Sequence, residues 1–346
     1  MPNRNVVMRN VLTISTAIIF TAVAAACGAG KQPQASSPTQ AQSEQQADMP
    51  VFAADSAFKY VGTQVKMGPR VPGTEAHRKC AAWIESELMR HGADTVLIQE
   101  ATVTNPNDGK PLDIKNILGR YNPDASRRIL LVAHYDTRPM ADEETDESKR
   151  NMPIPGANDG ASGVGVMLEI GRQLELLRPE IGVDLLMVDA EDLGISDSDS
   201  GEDTSDTWCL GSQYFAKNLP YTAVTMPDMA IVLDMVGGKG AKFHREQFSD
   251  AYAQSTVDYV WATAARAGYG DKFINKPGGA ILDDHLPLVR AGIPAIDIVE
   301  SHSDVTGSFP PTWHTLSDNM DNIDKRSLEA AGQTVINLIY SAPIKK

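Results

Sequence analysis

ILLVAHYD, residues 129–136, begins with five apolar side chains in a row and ends in a histidine, a tyrosine and an aspartate. So short an unbroken apolar run predicts a strand covered on both faces, the kind found in parallel sheets between layers of helices. DLLMVDAED at 184–192 has the same form, an apolar strand running into carboxylates. AIVLDMVG at 230–237 and PAIDIV at 294–299 repeat it. Two further strands are predicted at 95–103 and 114–121. Helical spacing occupies 55–66, 75–91, 160–177, 211–218, 251–267 and 324–341, with Thr74 placed to cap the second of these and Gly92 to end it. Strands alternating with helices predict an α/β fold, a three-layer sandwich whose central mixed, mostly parallel sheet is flanked by helices.

In such a sheet the site lies beyond the carboxyl ends of the strands. His134 and Asp136 follow the first run, Glu191 and Asp192 the second, Asp234 the third, and His314 of TWHT comes after the last. Asp159, in GANDGASG, stands just ahead of a helix. A carboxylate at the end of a buried strand is costly unless it is paired or bound to a cation. Several at one end of a sheet point to a metal centre, and carboxylate with imidazole suits zinc, with manganese or cobalt as substitutes. Each residue also has a plainer reading. Asp159 would cap helix 160–177, His134 would be a satisfied core histidine, Asp234 would cap a turn, and His314 would lie on the surface. The adjacent pair Glu191–Asp192 is hardest to explain plainly, since like charges leaving an apolar strand repel unless they do different jobs. The acidic stretch 196–206, SDSDSGEDTSD, lacks EF-hand spacing and is read as a solvated loop.

The chain has 346 residues and a formal net charge of −14, which disfavours nucleic acid and anionic lipid as partners. Arg4 and Arg9 precede an uncharged run at 11–26, VLTISTAIIFTAVAAA, which is short for a membrane span. It ends at Cys27, and Ala24–Cys27 resembles a bacterial lipoprotein cleavage box, with Ala where Leu is usual three residues before the cysteine. Residues 1–26 are therefore expected to be a lipoprotein signal peptide and Cys27 the lipidation site. Residues 27–50, rich in Gln, Ser, Pro and Ala, are expected to be a flexible tether, and 51–346 a single catalytic domain. The expected location is the bacterial cell envelope, at the periplasm or outer membrane, with the membrane reached through the lipid. Cys80 and Cys209 are read as buried free thiols, with a bridge between them as the alternative.

The ordered motifs HYD, NDGASG, the carboxylate pair, LDM, DDHLPLVRAGIPAIDI and FPPTWHT, with GPRVPG at 68–73 before them, resemble the aminopeptidase-like zinc exopeptidase superfamily over roughly residues 55–341. Within it the chain looks most like a glutaminyl cyclase, an enzyme that closes an N-terminal glutamine into pyroglutamate and releases ammonia. Asp283-Asp284-His285 stands where peptidases commonly have Ser-Asp-His, and Asp283 matches the extra cyclase aspartate. The resemblance implies one zinc per chain on Asp159, Asp192 and His314. It implies catalytic roles for Glu191, Asp234 and Asp283, and a substrate pocket of Trp313, Phe309 and Ile281. The partners implied are peptides or proteins with N-terminal glutamine. The alternative is a di-zinc aminopeptidase, with His134 and Asp234 on a second zinc and Asp159 bridging. A third reading, a non-catalytic tethered peptide binder, would call for a lost Glu191 or zinc ligand, and none is lost. The chain departs from animal cyclases at Asp192, where they have Glu. A pocket tryptophan expected shortly after the carboxylate pair is also absent, and Trp208 stands out of register.

Overall fold

Strand β3 (Arg128–His134) is buried at every position, and it sits near the middle of a six-stranded sheet. The other strands are β1 (Thr95–Thr104), β2 (Pro111–Tyr121), β4 (Gly182–Val188), β5 (Met229–Leu233) and β8 (Ala295–Ile298), in the order β1-β2-β4-β3-β5-β8. β4, β3, β5 and β8 run parallel, while β1 and β2 form an antiparallel edge. The mixed, mostly parallel sheet expected from the apolar runs is therefore the one observed. The computed structural model describes residues 49–196, 201 and 203–341. Residues 1–26, Cys27 and nearly all of the tether 27–50 lie outside them, as does part of the acidic stretch 196–206.

Alternation along the buried strands explains their continuous apolarity. Ile129, Leu131 and Ala133 face one core together with Ile231 and Leu233. That core is closed by α1 (Ala54–Lys66), α2 (Glu75–Arg90), α3 (Ala161–Leu176), α5 (Gln247–Arg266) and α7 (Lys325–Ser341). Leu130, Val132, Leu186 and Val232 face the other way, onto Phe215 of α4 (Leu210–Lys217) and Leu288 of α6 (His285–Arg290). With both faces covered, no strand residue is free to be polar unless it is paired. Thr74 caps α2 by accepting from the amide of His77, and Gly92 follows its end at φ 67°.

Three features depart from the sequence expectation. Helix α5 begins at Gln247 rather than 251, because the Glu246 carboxylate accepts from the amides of Phe248 and Ser249 and caps it; a kink at Ala253 follows. A small parallel pair, β6 (Phe243–Arg245) and β7 (Phe273–Pro277), and the six-residue α6 were not anticipated, being too short for a periodic signal. The strands predicted at 184–190 and 229–236 stop early, at Val188 and Leu233. Ala190 and Met235 then take positive φ, 53° and 48°, and turn the chain sharply where its carboxylates are presented. Cys80 and Cys209 are buried and unbridged.

Candidate metal centre and substrate pocket

The parallel strands deliver their polar ends to one place. Asp159, Asp192 and His314 bring donor atoms within 4.8 Å of one another, and all three are buried. His314 Nε2 lies 3.2 Å from Asp192 Oδ1 and 3.8 Å from Asp159 Oδ2. Zinc–ligand bonds of about 2.0–2.1 Å in a tetrahedron put neighbouring donors roughly 3.3 Å apart, so the spacing fits zinc. Asp192 Oδ2 is buried with no hydrogen-bond partner among the described residues, an orphan that a cation would satisfy. Asp159 is not the helix cap: Gly160 holds that position at φ 90°, and the Asp159 carboxylate faces His314 on one side and His134 on the other. A Cβ on Gly160 would stand 2.6 Å from the Asp136 carbonyl, so only glycine lets the loop close there.

A second triad adjoins the first. His134 Nε2 lies 3.1 Å from Asp159 Oδ1 and 3.2 Å from Asp234 Oδ1. His134 is therefore part of the site rather than a lone core histidine. Burial pushes the Asp234 carboxyl up to about 7, with help from the charges of Asp283 and Asp159 and against a hydrogen bond from His134. Burial opposes charge on His134 too, but bonds to Asp136, Asp159 and Asp234 hold it well above the usual imidazole range.

Residues behind the donors aim them, and three of these were not singled out as such from sequence. Asp136 accepts from the backbone amides of Glu191 and Asp192 at 3.1 and 3.2 Å, fixing the carboxylate pair. Asp318 does the same for Asn158 and Asp159 at 2.7 and 3.0 Å. Asp142 accepts from His314 Nδ1 at 3.0 Å and from Arg138, which also reaches Asp192. Nothing in the charged run around Asp142, or in the polar one around Asp318, marks either residue before the chain is folded. Such partners fix tautomer and orientation at metal centres. The amide of Asp192 is held by Asp136, so the backbone that carries its shorter carboxylate is fixed close to Asp159 and His314.

Beside the donors opens a cavity of about 350 Å³, lined by Glu191, Asp234, Asp283, Ile281, Phe309, Trp313 and Trp208 among others. The predicted catalytic and pocket residues thus meet in one space. Phe309 and Trp313 stack at 4.4 Å, and Trp313 stacks on His314 at 3.7 Å. Trp208, judged out of register, also lines the cavity. The chain returns on itself after the acidic stretch, and the indole lies so close against Gly194 that a Cβ there would sit 1.9 Å from Trp208. Trp208 Nε1 donates to the Ile195 carbonyl, and its ring faces His314 at 6.5 Å. Burial above all pushes the Glu191 carboxyl well above the usual range, and the charges of Asp283, Asp192 and Asp284 add to this. Burial likewise raises Asp297, which faces Asp283 and Asp234 from β8. A buried carboxyl with raised proton affinity at the cavity wall is suited to moving a proton between nitrogen atoms.

Comparison with known proteins finds close likenesses. A glutaminyl cyclase from Bacteroides thetaiotaomicron is 46% identical with a TM-score of 0.82, covering 86% of this chain and 100% of that one. A Tannerella forsythia glutaminyl cyclase is 48% identical (TM-score 0.80; 85% and 100% covered). A structure described as a leucine aminopeptidase precursor from Bacteroides thetaiotaomicron is 45% identical (TM-score 0.80; 86% and 99%). Among curated relatives, aminopeptidase YwaD of Bacillus subtilis is 27% identical over 70% of this chain, but the match spans only 46% of YwaD. Glutaminyl-peptide cyclotransferase of Bos taurus is 24% identical over 75% of this chain and 74% of its own length. The profile of Peptidase family M28 matches residues 116–339, from β2 to α7 and across every donor described above. The chain belongs to peptidase family M28.

Proposed function

We propose that the protein is a zinc-dependent glutaminyl-peptide cyclotransferase, acting on peptides and proteins with N-terminal glutamine. The observation that carries the reading is Asp283 at the cavity wall beside Glu191 and Asp234, under a lid of Trp208, Phe309 and Trp313. Peptidases of this superfamily commonly have Ser at that position, and a serine would remove one of the acidic neighbours of Asp234. The likeness to bacterial glutaminyl cyclases supports the same choice.

Asp159, Asp192 and His314 would hold the zinc, which when bound polarises a carbonyl oxygen and stabilises the charge that develops on it. The aromatic walls and Ile281 hold the glutamine side chain folded back on its own α-amine. Because both reacting groups belong to one residue, orientation supplies much of the rate. Glu191 takes a proton from the attacking α-amine and returns it to the γ-nitrogen. A new bond joins the α-nitrogen to the γ-carbon, the old carbon–nitrogen bond breaks, and ammonia leaves. The Asp283 charge beside Asp234 helps to raise the Asp234 carboxyl, and the two side chains orient the departing amide nitrogen.

One specific observation favours a second reading. The triad of His134, Asp159 and Asp234 also has metal-ligand spacing, as a di-zinc aminopeptidase requires. The cyclase reading calls for one zinc per chain, on Asp159, Asp192 and His314. Elemental analysis after mild dialysis tests this: one retained zinc supports the cyclase, and two tightly held zincs support the aminopeptidase. The N-terminal segment is proposed to be a lipoprotein signal, with lipid on Cys27 holding the enzyme at the cell envelope. Cys27→Ser would then release the protein from membranes once the signal is cut, and a cut variant that stays bound would place the anchor elsewhere.

A further inference from the structure

Behind the proposed base lies a donor set that neither zinc triad uses. The thiol of Cys209 donates to Glu191 Oε1 at 3.4 Å. Donor atoms of Glu191, Cys209 and Asp283 all lie within 4.8 Å of one another. The three side chains are 9%, 2% and 3% exposed. One oxygen of Asp283 accepts from the amide of Asp284, while the other, buried, has no hydrogen-bond partner among the described residues. Asp192, Asp283 and Asp284 stand close enough to repel the Glu191 carboxylate. Cys209 is held there by an unusual backbone, at φ 56°, as the cap of α4.

We propose that Glu191, Cys209 and Asp283 form a separate site for one thiophilic divalent cation such as cadmium, whose binding inhibits the enzyme. The thiol is what sets this site apart. The triads around Asp159 offer only oxygen and nitrogen, whereas a sulfur ligand selects soft cations. Two carboxylates beside it supply the charge, and both line the cavity, so an ion arriving from solvent meets them first. On binding, the S–H bond breaks, a sulfur–metal bond forms and the proton passes to solvent; no electron is transferred. An ion held there occupies the carboxylate that would accept the substrate's proton, so it lowers turnover.

The binding claim stands apart from the cyclase reading, because it is measured without substrate. The zinc-loaded full chain, in a Cys27→Ser background, is titrated with cadmium. The site predicts one cadmium retained per chain in addition to the zinc, and a near-ultraviolet sulfur-to-cadmium charge-transfer band. Cys80, on the buried face of α2 in the apolar core, does not contribute to it. Cys209→Ser abolishes the band. Asp283→Asn keeps the thiol but weakens cadmium retention by roughly tenfold or more, the scale on which support for a metal is lost. With substrate present, cadmium lowers kcat for the peptide in the parent. No band in the parent, a band that survives Cys209→Ser, cadmium taken up only in exchange for zinc, or Asp283→Asn binding as tightly as the parent would each overturn the proposal.

Discussion

Ala190, Cys209, Met235 and His314 have positive φ, between 48° and 56°, and each belongs to the site or touches it. Such a backbone costs an ordinary residue about 1–2 kcal/mol, so strain is concentrated where function is. Ala190 turns Glu191 into the cavity, and the amides held by Asp136 keep it there. Glu191→Gln keeps this shape and removes the proton carrier. The variant is expected to retain its zinc and lose turnover by roughly 10²–10⁴-fold, the usual contribution of a general base; normal turnover with zinc in place would assign proton transfer elsewhere. Asp283→Ser restores the residue common in the peptidases and removes one of the charges that raise the Asp234 carboxyl. Cyclisation of glutamine peptides should collapse while thermal unfolding stays cooperative, and zinc content is expected to rise if His134 and Asp234 then take a second ion. A folded, zinc-loaded variant cyclising at the parent rate would remove Asp283 from the mechanism. His134, Asp192, Asp234 and His314 were legible because each follows a buried apolar run, where an unpaired polar group is improbable on energetic grounds, and Asp159 because it stands in the NDGASG motif. Trp208 was not, because its place depends on how the intervening loop folds back, which register along the chain does not encode.

Helix α3 shows how the elements position the centre. Its first turn lies against the end of β5 so closely that a Cβ on Gly163 would stand 2.0 Å from the Leu233 carbonyl. Asp159, just before this helix, and Asp234, just after this strand, owe their proximity to that contact. Gly163→Ala is expected to cost about 1–3 kcal/mol of stability through overpacking and to weaken zinc retention as well; denaturant titration and metal analysis read the two effects. Beyond β8, the buried carboxyl of Glu300 lies near the Gly238 turn. Burial pushes it up to about 7 from an ordinary 4.5, partly offset by Lys272. Its folded form therefore keeps a proton that the unfolded chain has lost, so stability falls as pH rises from about 4.5 to 7. Glu300→Gln should flatten that decline and gain up to about 3 kcal/mol at pH 8; an unchanged pH profile of unfolding would show that the carboxyl ionises freely in the fold. Elements with long apolar runs or clear helical spacing were legible to within a few residues. β6, β7 and α6 were not, since three to six residues cannot express a period and their conformation is set by what they pack against.

At the scale of the molecule, four parallel strands gather residues 134, 192, 234 and the approach to 314 at one rim, although they are far apart in sequence. That convergence is what the order of motifs along the chain encodes, and it is why family and fold were both legible before any contact was known. The chain is similar to aminopeptidases as well as to cyclases, so the fold alone does not choose the reaction; the proposal of cyclisation rests on the acidic neighbour at 283 and the aromatic cavity wall. The most direct measurement incubates the purified zinc-loaded protein with two peptides that differ only in a first residue of Gln or Ala, followed by mass spectrometry. The account predicts that the Gln peptide loses one ammonia and stays otherwise intact, while the Ala peptide is unchanged. Release of free alanine, with the Gln peptide left uncyclised, would contradict it and identify the protein as an aminopeptidase.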